Sequence, residues 1–312
     1  MKVYRDIGAL PEFKKAVLTI GTFDGVHLGH KQIIKQLLKE AAAVSGTPVL
    51  ITFHPHPKQV VASVQKPIFM LNNPEEKYKL LHDAGISNIV VVPFNSEFAE
   101  QPASSYISDF LVNKFHPHTI IIGYDHKFGK NRSGDYHLLE KESEKFGYMV
   151  KEIPEHILQD VTISSTRIRE ALLSGDIDTA NEFLGYHYFF SGLVIEGNKL
   201  GRTIGYPTAN LQVPDEQKLI PANGVYAVKV KVEGFVQAFN GMMNIGVRPT
   251  VNGTTRVTEV NIFDFDASIY GRMVKVTLQK RLRSEVKFNG LDALKNQLAL
   301  DKLSAIDVLN NT

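Results

Sequence analysis

The chain has 312 residues, 43% of them apolar, enough for one or two domains with real cores. Its 35 Lys and Arg against 33 Asp and Glu leave a net charge of +2, spread along the chain, which argues against nucleic-acid and membrane partners. Cysteine is absent, which excludes disulfides, thiolate catalysis and Cys-based zinc sites; with no signal-peptide core in MKVYRDIGALPEF and no apolar run near the ~18 residues a membrane span needs, a cytoplasmic protein is expected.

In chain order, β-branched apolar runs bounded by Gly, Pro or Asn predict buried strands at Val17–Ile20, Val49–Phe53, Ile89–Pro93, Thr119–Gly123 and Tyr148–Ile153. Helical stripes lie between them. His30 to Val44 carries Ile33, Ile34, Leu37, Leu38 and Ala41, and Pro102 to Phe115 carries Tyr106, Ile107, Phe110 and Leu111. Strands alternating with helices imply an α/β doubly wound parallel sheet, with ligands at the carboxyl ends of the strands. Segments 21–30 and 123–129 fall there.

The texture changes near Leu184. Strands are expected at Gly192–Glu196, Val225–Val232, Phe235–Ile245, Arg256–Phe263 and Met273–Leu282, punctuated by Gly-Asn, Pro-Ala-Asn-Gly and Val-Asn-Gly turns. This spacing suggests a closed antiparallel β-barrel, with a terminal helix Leu291–Leu309 covering it. The boundary is placed at Gly185–His187, giving domains 1–184 and 185–312.

Residues 21–30, GTFDGVHLGH, follow the first strand directly. The bland reading is a capped helix with two surface histidines. The preceding strand, Gly21 and Gly25 favour a phosphate cradle at a helix N-terminus, with His27 and His30 able to face one ligand across Gly29. In Ile163–Arg169, Ser164, Ser165 and Thr166 are cap-forming residues, and Arg167 and Arg169 sit in the first helical turns. An isolated Ser-Ser-Thr-Arg is usually only a cap; beside a His-x-Gly-His loop it supplies hydroxyls, N–H groups and a cation for polyphosphate. Asp125, after the Ile120–Ile122 run, is a candidate nucleotide contact, or else an ordinary turn aspartate. The loop Phe53, His54, Pro55, His56, Pro57 has no flanking carboxylate or cysteine, so a rigid aromatic-bearing loop beside a ligand is preferred to a metal site.

In the second half, Gly197, Gly201, Arg202 and Gly205 lie in a glycine-dense turn before Pro207-Thr208-Ala209-Asn210. The turn alone reads equally as a structural hairpin. Thr208 and Asn210 offer hard oxygen ligands suited to Mg²⁺ arriving with ATP, without a dedicated protein cage. Arg281 and Arg283, near Glu285, read as solvated surface charges.

Together these pieces resemble the family of bacterial bifunctional riboflavin kinase/FAD synthetases. The set runs from His27-x-Gly-His30 and Ile163–Arg169 through Pro207–Asn210, Pro221–Tyr226 and Gly246–Thr250 to Glu259. The resemblance implies a nucleotidyltransferase-like first domain, an FMN adenylyltransferase, and a riboflavin kinase barrel. His27 and His30 would hold the ATP phosphates and stabilise charge at the α-phosphate. Gly21, Thr22, Phe23, Asp24, Gly25, Gly29, Asp125 and Ser164, Ser165 and Thr166 would line the nucleotide, with Arg167 on the leaving pyrophosphate. Phe53, His54, Pro55 and Pro57 would lie near flavin. In the barrel, Gly197, Gly201, Arg202 and Gly205 would bind nucleotide, and Glu259 would be the general base on the riboflavin 5′-hydroxyl. Riboflavin, FMN and ATP are the implied small-molecule partners, FAD the final product and Mg²⁺ the metal. Thr22, and Asp125-His126-Lys127, depart from the commoner family pattern. A second reading keeps one activity, with the other module a flavin-binding or regulatory unit.

Overall fold

A computed structural model describes residues 1–61, 68–153, 163–197, 200–250 and 253–311; the Gly-Asn and Val-Asn-Gly turns expected from the sequence lie partly outside the described residues. The chain divides into two compact units, Met1–Ser165 and Thr166–Thr312.

The first unit is built on six strands: β1 (Lys2–Tyr4), β2 (Ala16–Ile20), β3 (Pro48–His54), β4 (Asn88–Pro93), β5 (Pro117–Gly123) and β6 (Met149–Ile153). They pair in parallel in the order β1-β4-β3-β2-β5-β6. All five residues of β2 are buried, because both faces of the sheet are covered. Leu18, Ile20, Val49 and Ile120 pack on one face with Phe110 and Phe115, while Val17, Leu50 and Ile121 pack on the other with Ile34 and Leu37. This is the period-2 alternation of a strand read on two cores. The strand order reverses between β2 and β5, so a crevice opens beyond their carboxyl ends.

Helix α1 (Leu28–Ala43) starts two residues before the periodicity predicts, because His27 caps it with its own ring. The Pro102–Phe115 segment is helical but wider than an α-helix: Tyr106–Val112 takes π-helical geometry, with Tyr106, Ile107, Phe110 and Leu111 buried. Strand β1 and the helices Pro74–Asp83 and Tyr136–Phe146 were not among the expected elements.

The second unit is a closed antiparallel barrel of β7 (Phe189–Ile195), β8 (Ala209–Gln212), β9 (Gly224–Val232), β10 (Ala238–Thr250), β11 (Gly253–Ile262) and β12 (Met273–Arg283), in the order β10-β11-β8-β7-β12-β9. The helix Leu291–Asn310 packs Ala305 and Leu309 against Ala227, Met242 and Phe263. The helices Ser165–Ser174 and Ile177–Leu184 are tied to the same barrel: Ala222 N–H donates to the Leu172 carbonyl (2.9 Å) and the Asn181 amide to that of Leu278 (3.1 Å). Among the described residues no helix is long and apolar enough to cross a membrane.

Candidate active sites

Beyond Ile20 the first unit's chain turns through Phe23, Gly25 and Val26, all at positive φ (48°, 87° and 36°). Gly21 makes room for the buried Phe23 ring, since a Cβ there would stand 3.0 Å from it. The buried Asp24 carboxylate accepts the backbone N–H groups of Leu71 (3.0 Å) and Asn72 (3.3 Å), which anchors the loop. The Asp24 carbonyl accepts from the Ser165 hydroxyl at 2.9 Å, so the start of the Ser-Ser-Thr-Arg segment meets this loop.

The loop delivers two stacked histidines. The His27 and His30 rings lie 3.7 Å apart between centroids at 21°. His27 Nδ1 accepts the His30 N–H (3.4 Å), which leaves the neutral ring's proton on Nε2, a donor. Gly29 eases this stack: a Cβ there would sit 3.3 Å from the His27 ring, which would have to give by a few tenths of an ångström. Burial, then the charges of His27 and Lys77, hold the His30 pKa well below 6.5. A neutral His30 imidazole stacked on His27 at the N-terminus of α1 offers a donor and the positive end of a helix dipole to a phosphate.

Thr22 belongs to a further network. The Thr22 carbonyl accepts from Thr52 Oγ1 (3.1 Å) and from Lys77 Nζ (3.3 Å), and Lys77 also donates to Thr52 Oγ1 (3.2 Å). Burial, opposed by Asp24, pushes the Lys77 ammonium down to about 8. Sequence reasoning missed Lys77.

Asp125 is exposed in the loop that leaves β5. Phe128 anchors that loop by stacking on Tyr106 at 4.8 Å. Gly134 is needed beneath it, because a Cβ there would enter the Phe128 ring. Phe53 is half-buried and packs its ring against Phe94 (5.5 Å) and Phe98 (5.9 Å), while His54 and Pro55 are exposed and Pro57 opens a short helix. The aromatic wall therefore extends beyond Phe53 to residues that sequence reasoning did not single out. Ser164 is exposed; Thr166 and Arg167 open their helix in the second unit, where the Arg167 guanidinium lies 5.5 Å from the Phe183 ring centroid.

In the barrel, the register places Glu259 of β11 directly beside Asn210 of β8 and Asn244 of β10. Directly paired residues share one face of a sheet. All three line one cavity of about 250 Å³ together with Thr208. The rest of its lining mixes apolar Ile204, Tyr206, Phe288, Leu294 and Leu298 with Arg283 and Glu285, so it suits a ligand with an apolar body and a polar end. The buried Asn261 amide donates to the Pro207 carbonyl (2.7 Å) and holds the Pro-Thr-Ala-Asn segment.

The glycines serve close approach: a Cβ on Gly197 would collide with the Asn210 amide, and one on Gly201 with the Tyr206 carbonyl. Gly205 takes φ 85°. Arg202 reaches the Tyr270 hydroxyl (3.4 Å) beside a second cavity of about 80 Å³. Thr208 lines both cavities. Its hydroxyl and the Asn210 carbonyl are hard oxygen donors beside Glu259, and among the described residues no group of three His, Asp or Glu forms a metal cage. That donor set fits Mg²⁺ carried in on phosphates.

The expectation for Arg281 and Arg283 is corrected. Arg283 makes a bidentate pair with the 3%-exposed Asp301 of the terminal helix (Nε–Oδ1 2.8 Å, Nη2–Oδ2 2.6 Å) and lines the larger cavity. Arg281 donates to the Asn223 carbonyl (2.6 Å). The four consecutive carbonyls of residues 220–223 all accept from side chains: Arg256 takes Ile220 and Pro221, Tyr226 takes Ala222, and Arg281 takes Asn223. Arg281 is thus held by a backbone carbonyl and Arg283 by a buried carboxylate, each partner far away in sequence.

A family model described as FAD synthetase matches residues 10–167, and one described as riboflavin kinase matches residues 184–309. The bifunctional riboflavin kinase/FMN adenylyltransferase of Haemophilus influenzae is 40% identical over 294 residues, covering 94% of each chain. That of Escherichia coli K12 is 38% identical over 307 residues, covering 98% of this chain and 97% of its own. That of Bacillus subtilis is 38% identical over 305 residues. A solved structure from Streptococcus pneumoniae, described as a macrolide-efflux protein, is similar with a TM-score of 0.86 at 31% identity, covering 97% of this chain and 98% of its own.

Proposed function

The chain belongs to the family of bifunctional riboflavin kinase/FMN adenylyltransferases, and we propose on that premise that it makes FMN from riboflavin and FAD from FMN, using ATP in both steps. The observation that carries this reading is the barrel cavity in which Glu259 shares a row with Asn210 and Asn244 beside Thr208.

In the kinase step, the riboflavin 5′-hydroxyl attacks the γ-phosphate and ADP leaves. Glu259 accepts the hydroxyl proton. The apolar part of the lining holds the ring system, and Gly197, Gly201, Arg202 and Gly205 serve the nucleotide on the other side of Thr208. Mg²⁺, when bound, neutralises phosphate charge during transfer, held with Thr208 and Asn210 as its protein oxygens.

In the adenylyl step, a phosphate oxygen of FMN attacks the α-phosphate of ATP, the bond to the β-phosphate breaks and pyrophosphate leaves. Positioning and charge neutralisation do most of this work. His27 and His30 at the N-terminus of α1 face the phosphates. Gly21, Thr22, Phe23, Asp24, Gly25 and Gly29 shape that loop. Asp125 and Ser164, Ser165 and Thr166 serve the nucleotide, and Arg167 the pyrophosphate. Phe53, His54, Pro55 and Pro57 are assigned to the flavin side. For Asp24 the assignment acts through its anchored backbone, since its carboxylate is held by Leu71 and Asn72.

We set the functional division at 1–184 and 185–312, supported by the riboflavin kinase match that begins at residue 184. We place the reactions in the cytoplasm, where ATP is supplied. The efflux description of the Streptococcus structure is not carried over to this chain. Incubation of the pure protein with ATP and Mg²⁺, separately with riboflavin and with FMN, tests the reading. FMN and FAD are the expected products; formation of neither would overturn it.

A further inference from the structure

The helix Pro74–Asp83 enters the first unit on a capping box. Asn73 Oδ1 accepts the Glu76 N–H (2.8 Å), and the Glu76 carboxylate accepts the Asn73 N–H (3.1 Å). This fixes the helix start, and Lys77 follows in its first turn. The Lys77 ammonium meets no carboxylate in a direct bond of this network. It binds a neutral carbonyl, Thr22 O, and a neutral hydroxyl, Thr52 Oγ1, and those two are bonded to each other. Three elements are closed into one ring: the loop after β2, the fully buried Thr52 of β3, and the helix.

A half-buried charge whose direct hydrogen bonds go to neutral groups is costly, and Asp24 offsets only part of that cost. An apolar side chain of similar length would fill the space at less cost, so packing alone does not account for a lysine. The groups in front of it do. His30 is faced by His27 from α1, by the Phe23 ring at 5.0 Å from the loop, and by the Lys77 charge from the neighbouring helix. Asp24 is the anion that faces Lys77 itself. The cation is thus tied to the loop that carries the histidine pair to which the adenylyl-transfer reading assigns a polyphosphate, and it acts on the His30 charge; the inference rests on that reading.

We propose that Lys77 is a positioning residue of the adenylyl-transfer site: its ammonium locks the Thr22 carbonyl to β3 and supplies a positive charge to the loop that carries the His27–His30 pair. The charge serves the phosphates at long range and disfavours a second charge on the imidazoles, so His30 remains a neutral ring before nucleotide binds.

The test uses the full chain. Wild type is assayed first with FMN and ATP; failure to form FAD there overturns the site reading and not the role of Lys77. Riboflavin kinase turnover, from the other unit, serves as the control for integrity. In K77M, kcat for FAD formation is expected to fall about 30-fold or more, with kinase turnover unchanged. The acid limb of its pH profile should move to higher pH, because removing the cation lets His30 protonate more easily. K77R should keep the wild-type acid limb and recover about a tenth or more of the rate. K77Q, near in size and uncharged, carries the expectations of K77M if the latter does not fold. FAD formation within about 3-fold of wild type in the uncharged variants would overturn the proposal. So would an unmoved acid limb, which a merely structural lysine would leave in place, or a K77R variant no better than K77M.

Discussion

Glu259 and Asn210 face each other across the β8–β11 ladder, and both line the larger cavity of the second unit. A carboxylate and an amide on one face of a sheet present a proton acceptor beside a neutral oxygen donor. Glu259→Gln keeps the shape and removes the base. FMN formation from riboflavin should fall by about 10²–10⁴, while FAD formation from supplied FMN persists. Separate product assays by chromatography check both halves, and loss of both activities together would contradict separate sites.

His30→Ala should have the opposite effect, with FAD formation reduced by about 10²–10⁴ and riboflavin phosphorylation intact. The wild-type pH profile carries the companion expectation. Burial, His27 and Lys77 hold the His30 pKa well below 6.5, so its ring stays neutral where a free histidine would be half protonated. Adenylyl transfer is expected to remain level from neutral pH through 6.5 and to decline only at more acid pH.

His126 gives a stability prediction. Burial pushes its pKa down to about 4, against a weaker upward pull from Asp125. The unfolded chain protonates this histidine near 6.5 and the folded chain only near 4, so the unfolded state binds more protons in that window. Stability contributed by the neutral ring is therefore full above about pH 6.5 and is lost as pH falls toward 4. His126→Phe removes the titration. Its first-unit melting temperature should drop less between pH 7 and pH 4.5 than that of the wild type; identical drops would refute the assignment.

Asp301→Ala leaves Arg283 half-buried without its bidentate partner. Breaking such a pair costs about 3–5 kcal/mol. Arg283 also walls the cavity, so KM for riboflavin should rise while adenylyl transfer is spared. Denaturant unfolding followed by kinase activity reads the first effect, and steady-state kinetics the second.

The parts of both sites legible in the sequence are those whose chemistry is local. Gly29 stands beside the histidine ring it clears, and Thr208 and Asn210 are two residues apart on one segment. The four central strands β2 to β5 were legible because burial on both faces makes them continuous apolar runs, whereas the edge strand β1 was not. Lys77 was hidden because Pro74–Asp83 buries only Tyr78 and Leu81 and its charges read as a solvated face. The Asn73-x-x-Glu76 capping signal was the available clue. Arg283 was misread because Asp301 lies 18 residues away, on a helix whose docking no local pattern states. The pairing of Glu259 with Asn210 depends on strand register, which becomes visible only when the barrel closes.

The closed barrel has one more consequence, for life in a crowded solution. A ring of strands offers no outer rim of unpaired N–H and C=O groups. The parallel sheet does have two rims, and both are guarded. β1 is only three residues long, and β6 carries Lys151 and Glu152, with Lys151 held 2.6 Å from Glu40. Short or charged rims deter a foreign strand from adding itself to the sheet. The described strands of both units thus leave little open edge on which a second copy could pair.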